Sequence, residues 1–358
     1  MERIPVEKIY KLMNDVFTKL GVSKEDAKIC ADVLIASDLS GIESHGVGRL
    51  KMYYDRIKAG IQFTDTKIDV IRNRKATAVW DGNHGMGHVI AQKAMQTAIE
   101  KAKQFGMGSV AVRNSTHFGI AGYYARMAVK ENMIGMSFTN ARPSIAPLYG
   151  VTPLLGTNPI CFGAPSNLEY PFLYDAATSI TQRGKIEVYD REEKATPEGL
   201  AIDDKGNPYT DTKQLLIDLV DKKASLLPLG GVSKLLGGHK GYGLATIVEI
   251  LSSALQSGSY MNDLLGWENG KRVPYKLGHF FMAINIDFFT EVEDFKKIIG
   301  DILMNLKNST LSENAEKIYV AGEKEYLNEI YIRKNGVPVN ENLMKNIRIM
   351  CQDLKIDF

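Results

Sequence analysis

Cysteine is scarce: Cys30, Cys161 and Cys351 are far apart and odd in number among 358 residues. No disulfide framework is expected from such a set, which suits reduced thiols in a protein of the cytoplasm. Long apolar runs are lacking too, and nothing approaches the ~18 consecutive apolar residues of a membrane span. The opening residues MERIPVEKIYKLMNDVF are charged and amphipathic, with no apolar stretch of signal-peptide length. Net charge is small, since 44 Lys and Arg face 42 Asp and Glu and leave +2. The basic residues are dispersed rather than in blocks, so neither a nucleic acid nor a membrane surface is expected as a partner. Repeats, low-complexity tracts and Pro/Ser linkers are all absent.

What remains is a chain with 44% hydrophobic and 24% charged residues, enough for a sizeable core. Helical spacing of Ile9, Leu12, Met13, Val16 and Leu20 predicts a first helix over 5–20. A second starts at Ser23, read as an N-cap with Glu25 and Asp26 in its first turn, and runs to the break at Gly41. A third is expected from His45 to Gly60. The middle alternates, with strands at 76–83, 106–114 and 133–140 and helices at 87–105 and 119–131. Such strand–helix–strand units imply parallel pairing through right-handed crossovers. Further strands are expected at 159–164, 171–175 and 279–287, helices at 243–256 and 291–306, and a turn at 203–208. The fold class is therefore α/β, a central largely parallel or mixed sheet with helical flanks. Residues 1–72 form a helical front, 73–307 the region that binds cofactor and substrate, and 308–358 a tail closing onto the front.

Glycine placement tests for a dinucleotide fold. Gly85-Met86-Gly87-His88 follows a strand, but no third glycine comes after it, and the next strand ends in Asn114-Ser115-Thr116 without an acidic residue for a ribose. A classical Rossmann fold is not indicated. Gly237-Gly238-His239-Lys240-Gly241-Tyr242-Gly243 suits a diphosphate better, because one lysine and free amides at a helix start favour an anion. The bland alternative is a loop with a solvated lysine.

Histidines supply the candidate chemistry. His84 and His88 are four apart, as metal ligands on a helix would be, which keeps a metal-dependent hydrolase open as an alternative. Gly85 stands where a base would be needed, no third ligand is evident, and no metal is expected. His117 lies between a strand and its crossover helix, and Arg142 follows the next strand of the same direction. Both should reach one crevice at the carboxyl edge of the sheet. In the stretch GIESHGVGRL, a helix beginning at His45 would line up His45, Arg49 and Tyr53 as one polar stripe, with Val47, Leu50, Tyr54 and Ile57 facing the core. An arginine fork beside a histidine and a phenol suits a small carboxylate, although an exposed helix face would look the same.

Five separated stretches, ESHGVGRL, NSTHFGIAGYYA, LGTNPICFGAP, DAATS followed by RGK, and GGHKGYGL, resemble the malate/L-lactate dehydrogenase family, which is unrelated to Rossmann-type malate dehydrogenases. The resemblance runs in order from the first helix to about Lys324. It implies a sulfolactate dehydrogenase-like fold, a homodimer, NAD (or NADP) and a 2-hydroxy or 2-oxo acid substrate. By motif, His117 resembles the proton-transferring histidine, while Ser44, His45 and Arg49 resemble a substrate-binding element whose histidine is the acid/base in some members. Asn158 matches another site-facing motif. Cofactor contacts are implied at Asp175, Ala176, Ala177, Thr178 and Ser179, at Lys240 with Gly241, and at Gly322, Glu323 and Lys324. The familiar D-M-A-T-[ST] reads D-A-A-T-S here, and Ala176 in place of Met loosens packing around the cofactor. The expected reaction is reversible hydride transfer between nicotinamide and an L-2-hydroxy acid, with Arg49 on the C1 carboxylate. Arg142 is placed for a second carboxylate, which favours malate over lactate. The alternative within the family is an NADP-dependent reductase of another 2-oxo acid or of a cyclic imine carboxylate.

Overall fold

The computed structural model describes residues 2–358. The front of the chain comprises β1 (Glu2–Ile4), α1 (Val6–Lys19), α2 (Lys24–Leu39) and α3 (Leu50–Lys58). Then come β2 (Asp69–Asn73), β3 (Thr77–Asp81), α4 (Gly87–Phe105), β4 (Met107–Ser115), α5 (Gly122–Lys130), β5 (Met133–Thr139), β6 (Ile160–Ala164) and β7 (Phe172–Ala176). A smaller unit follows, of α6 (Arg183–Arg191), β8 (Ala201–Asp203), α7 (Thr212–Asp221), β9 (Ala224–Leu226) and α8 (Gly238–Leu251). The chain returns through the hairpin β10 (Trp267–Glu268) and β11 (Lys271–Arg272) to β12 (Leu277–Asn285) and α9 (Val292–Lys307). The tail is α10 (Glu323–Asn335), β13 (Val337–Val339) and α11 (Glu341–Leu354).

Seven strands make one mixed sheet in the order β2-β3-β4-β12-β5-β6-β7. The crossover through α4 pairs β3 and β4 in parallel, and every other pairing is antiparallel. Expecting β5 beside β4 was an error, because the late strand β12 enters between them. Phe281 of β12 pairs with Val110 on one side and Ser137 on the other. Sequence order cannot reveal a strand inserted from 140 residues downstream. Because β4 and β5 both oppose β12, they run the same way, so their carboxyl ends still share one edge.

Close contact between helix and sheet follows from small residues. A Cβ on Gly108 of β4 would lie 2.1 Å from the Ala98 carbonyl oxygen of α4. Ala91, Ala94, Ala98 and Ala102 recur at helical spacing along that buried face. At the front, Ile9, Met13, Phe17, Leu34 and Tyr53 share a core with Ile347 and Met350 of α11, and β1 pairs with β13. No helix among the described residues is long and apolar enough to cross a membrane.

Two helix starts differ from expectation. α3 does not begin at His45: residues Val47–Arg49 form a 3-10 turn, and α3 proper starts at Leu50. The cause is Asp38, whose carboxylate accepts the Val47 amide at 2.8 Å and presses where a Gly46 Cβ would be, so the chain stays extended through Gly46. α8 begins at Gly238, within the glycine-rich stretch rather than after it. Gly238 and Gly241 would put a Cβ 2.1 Å from the Gly231 oxygen and 2.0 Å from the Leu229 oxygen. These glycines let the helix lie against backbone, which outweighs their poor helix propensity.

Candidate active site

The turn before α3 holds His45 with its Nδ1 2.8 Å from Ser44 Oγ. Arg49 folds back so that Nε donates to the Ser44 carbonyl oxygen at 2.9 Å. That bond fixes the guanidinium plane and leaves its two terminal nitrogens without a hydrogen bond among the described residues. From the sheet side, the loop after β4 brings the His117 ring over His45, with centroids 5.5 Å apart and planes inclined by 20°.

Tyr53 belongs to the same cluster but not to an open stripe. It is fully buried, and its hydroxyl lies 2.6 Å from His117 Nδ1. As an open substrate contact it is therefore corrected: its phenol is spent on His117 inside the core. The Gly119 amide also donates to His117 Nδ1, at 3.3 Å. An N–H can only donate, so in the resting ring Nδ1 is the acceptor and the proton sits on Nε2. Burial, and then the positive charges of His45, Arg49, Arg56 and His88, hold His117 well below the ordinary histidine range. Burial and Arg49 likewise lower His45 to about 4. Both imidazoles are neutral at physiological pH.

Arg142, exposed at the loop after β5, lies within the electrostatic reach of this cluster, since its charge helps to lower the pKa of Arg56. Asn158 does not face the site. It is fully buried, its Oδ1 accepts the Ala141 amide at 3.1 Å, and its amide donates to Ala245 O and to Glu249 Oε2. Its capacity is spent pinning the Arg142 loop to α8, so it positions rather than binds.

The cofactor candidates fall along a continuous path. Asp175, exposed on β7, accepts the Gly122 amide at 2.6 Å, just after the His117 loop. Ala176 and Ala177 follow, both half-buried. Thr178 and Ser179 are buried, and their hydroxyls are used on Thr157 O, Asn158 O and Thr181 O, so these two shape the backbone and offer no free side chain. The Leu229 amide donates to Thr178 O at 2.9 Å, which carries the path to the start of α8. There Leu229, Gly230, Lys234, Gly237, His239, Lys240 and Gly241 line a cavity of about 370 Å³. Lys234 and Lys240 form no ion pair among the described residues, and the positive end of α8 adds to them. His117, His45 and Arg49 do not line that cavity. Gly322, with φ +95°, turns tightly against Pro171 and Leu173 at the start of β7. Glu323 is not available to a cofactor, since Lys307 and Lys317 both lie 2.9 Å from its buried carboxylate. Lys324 is exposed, over the Tyr319 ring.

His84 and His88 part company. α4 starts at Gly87, so His84, with φ +58°, lies in the preceding turn and its Nδ1 is 3.0 Å from Tyr275 O. His88 is fully buried, edge-on to Tyr53 with centroids 4.7 Å apart, and neither ring nitrogen has a partner. Among the described residues no three His, Cys, Asp or Glu are placed to hold a metal ion. The metal-hydrolase alternative thus loses its ligand pair. Burial lowers the His88 pKa to about 3. Unfolding restores it to ~6.5, so the unfolded chain binds the extra proton and stability is lost as pH falls from about 6.5 towards 3. At pH 5 this amounts to about 2 kcal/mol. His88→Leu is expected to flatten that part of a thermal-melt pH series, and an unchanged acid slope would assign the loss elsewhere.

Sequence reasoning missed two residues. Asp38 braces the His45 turn, and burial raises its pKa to about 8. Arg56 lies on α3, two turns beyond Arg49. A carboxylate six residues before the S-H-G motif and a second arginine at helical spacing were the available signals.

The chain matches the family model described as malate/L-lactate dehydrogenase over residues 4–348. It is 46% identical to the malate dehydrogenase of Pyrococcus abyssi over 345 residues, covering 96% of this chain and 93% of that protein. It is 40% identical to the L-sulfolactate dehydrogenase of Methanocaldococcus jannaschii over 347 residues, covering 97% and 96%. The crystal structure of malate dehydrogenase from Entamoeba histolytica superposes with a TM-score of 0.96 at 41% identity, covering 100% of this chain and 99% of that one.

Proposed function

The chain belongs to the malate/L-lactate dehydrogenase family, and from that premise we propose that it transfers hydride reversibly between NAD and an L-2-hydroxy acid, malate with oxaloacetate foremost. The observation that carries this reading is the neutral pair His45 and His117 stacked beside a fixed arginine whose terminal nitrogens have no hydrogen bond among the described residues. That arrangement suits a 2-hydroxy carboxylate, with a fork for the acid group and an uncharged base for the hydroxyl.

A nicotinamide dinucleotide, when bound, supplies the hydride acceptor, and the residues present fit one. Lys234, Lys240 and the start of α8 suit the diphosphate, and the Asp175–Ala177 backbone leads from there towards His117. Gly241, Gly322 and Lys324 complete the group. In oxidation, His117 acts from the other tautomer: the ring proton moves to Nδ1 and is donated to the Tyr53 oxygen, which can donate or accept, and the Nε2 lone pair so freed takes the hydroxyl proton. In reduction, the same Nε2 returns the proton to the C2 oxygen. The low pKa of His117 keeps the base form available well below pH 6.5 and makes its protonated form a strong acid. His45, hydrogen-bonded to Ser44, polarises the same oxygen. Arg49 binds the C1 carboxylate and Arg142 lies near the far end of the substrate.

We further read the enzyme as a homodimer of the cytoplasm, with the exposed Ile247 and Ile250 of α8 as apolar surface for a second copy. The deciding experiment follows the nicotinamide absorbance with malate, lactate, sulfolactate and their 2-oxo forms, with NAD and with NADP. Malate oxidation with NAD is expected to dominate. A dominant NADP-dependent reduction of a cyclic imine carboxylate would replace this reading with its closest rival.

A further inference from the structure

We propose that Arg56 binds a second acidic group on the substrate and is the residue that selects 2-hydroxy acids with two acid groups over those with one. The inference rests on the 2-hydroxy acid reading above and deepens it. Arg49 ends the 3-10 turn that leads into α3, and Tyr53 and Arg56 follow on α3, so steps of four and three residues keep all three on one side of the helix. The middle residue touches His117, the base of the site. The two arginines therefore flank the reacting centre, their backbones about 10 Å apart along the helix at 1.5 Å per residue. Side chains of that length converge readily on opposite ends of a short diacid.

Arg56 is prepared for an anion. Its guanidinium sits 4.4 Å from the centroid of the Tyr275 ring, which fixes its plane without neutralising its charge. Tyr275 is itself held, since its carbonyl oxygen is 3.0 Å from His84 Nδ1 and its ring packs where a Gly266 Cβ would be. This gives His84 a structural task that the reaction does not. Arg49, Arg56 and Arg142 have no ion pair among the described residues, whereas Arg113, Arg126, Arg183 and Arg333 each face a carboxylate. Burial, and then repulsion from Arg142 and Arg49, disfavour the charged form of Arg56, although Tyr275 and Tyr53 act the other way. A half-buried cation repelled by two others gains most from an anion brought by the ligand. Arg142 is exposed and has no ion pair among the described residues, so it adds charge but not a fixed geometry.

A carboxylate and a sulfonate share the chemistry that would engage Arg56, so the test uses both. Steady-state kinetics with NAD compare malate, sulfolactate and lactate for the parent, Arg56→Gln and Arg56→Lys. For Arg56→Gln, kcat/KM is expected to fall on the order of 100-fold for malate and sulfolactate and much less for lactate. Arg56→Lys, which keeps the charge and loses the fork, should fall between the two and carries the test if the glutamine variant does not fold. A malate-to-lactate ratio that stays the same in the folded variants overturns the proposal. Calorimetric binding of succinate against acetate, with no turnover, separates the two levels. If the parent turns over no 2-hydroxy acid but Arg56→Gln abolishes its preference for succinate, the reaction reading fails and the two-acid site stands. If succinate is not preferred by the parent, the two-acid site fails whatever the kinetics show.

Discussion

His117→Gln is expected to lower kcat for 2-hydroxy acid oxidation by roughly 10²- to 10⁴-fold, the range associated with a positioned general base. KM should move little, since the amide still fits the site and the carboxylate clamp is untouched. The assignment follows from how the two histidines are held. His117 has Nδ1 fixed by Tyr53 and Gly119, which orients the ring and directs Nε2 away from both. His45 has only the short hydroxyl of Ser44 beside its Nδ1. His45→Gln should therefore cost less in kcat and raise KM. Were His45→Gln to abolish kcat while His117→Gln kept most of it, the two roles would be exchanged. Tyr53→Phe offers a finer reading, because it keeps the packing and removes one partner of Nδ1. A loss of kcat smaller than that of His117→Gln would match a residue that orients the base without touching substrate.

This cluster also marks how far the site was legible in sequence. Residues whose chemistry is local, such as Ser44, His45 and Arg49, are read from the motif itself, because one tight turn places all three. The shared sheet edge was read as bringing His117 to Arg142, whereas the stacking of His117 on the His45 turn was implied only by the family resemblance, because strand direction says nothing of where the front helices pack. The partner of His117 was not legible. Tyr53 was grouped with the open stripe because spacing tells which residues share a helix face, not whether that face is buried. Asn158, Thr178, Ser179 and Glu323 fall into the same class. Each lies within or beside a motif stretch, yet its polar atoms are consumed by backbone or by lysines drawn from distant segments. Motif membership cannot separate a residue that touches ligand from one that shapes the loop beside it.

The fold shows the same boundary between local and distant information. Apolar spacing located α1 and α2, α4 and α9 fall where helices were expected, and glycine packing explains why α8 starts earlier than its apolar run. Helices α6, α7, α10 and α11 and the edge strand β2 were passed over. β2 is exposed along all five residues and carries no alternation, so no pattern announced it. The placement of β12 required knowing which strands leave an unpaired edge between β4 and β5, a property of the assembled sheet.

Arg49→Gln is expected to reduce kcat/KM for any 2-hydroxy acid by about 10²- to 10³-fold, mainly through KM. The Arg49 Nε bond to Ser44 O orders the side chain before substrate arrives, so little rotamer entropy remains to be lost when a carboxylate docks. Two charge-assisted hydrogen bonds to one carboxylate, each about 1.5–3 kcal/mol, account for an effect of this size. Arg49→Lys should recover only part of it, because an ammonium keeps the charge but cannot hold Ser44 O and both carboxylate oxygens at once. The clamp acts on the carboxylate shared by lactate and malate, so both substrates must lose activity together. This common loss separates Arg49 from Arg56, whose replacement should divide them. A variant of Arg49 that spared lactate and penalised malate would move the C1 carboxylate elsewhere and leave Arg49 as part of the distal site.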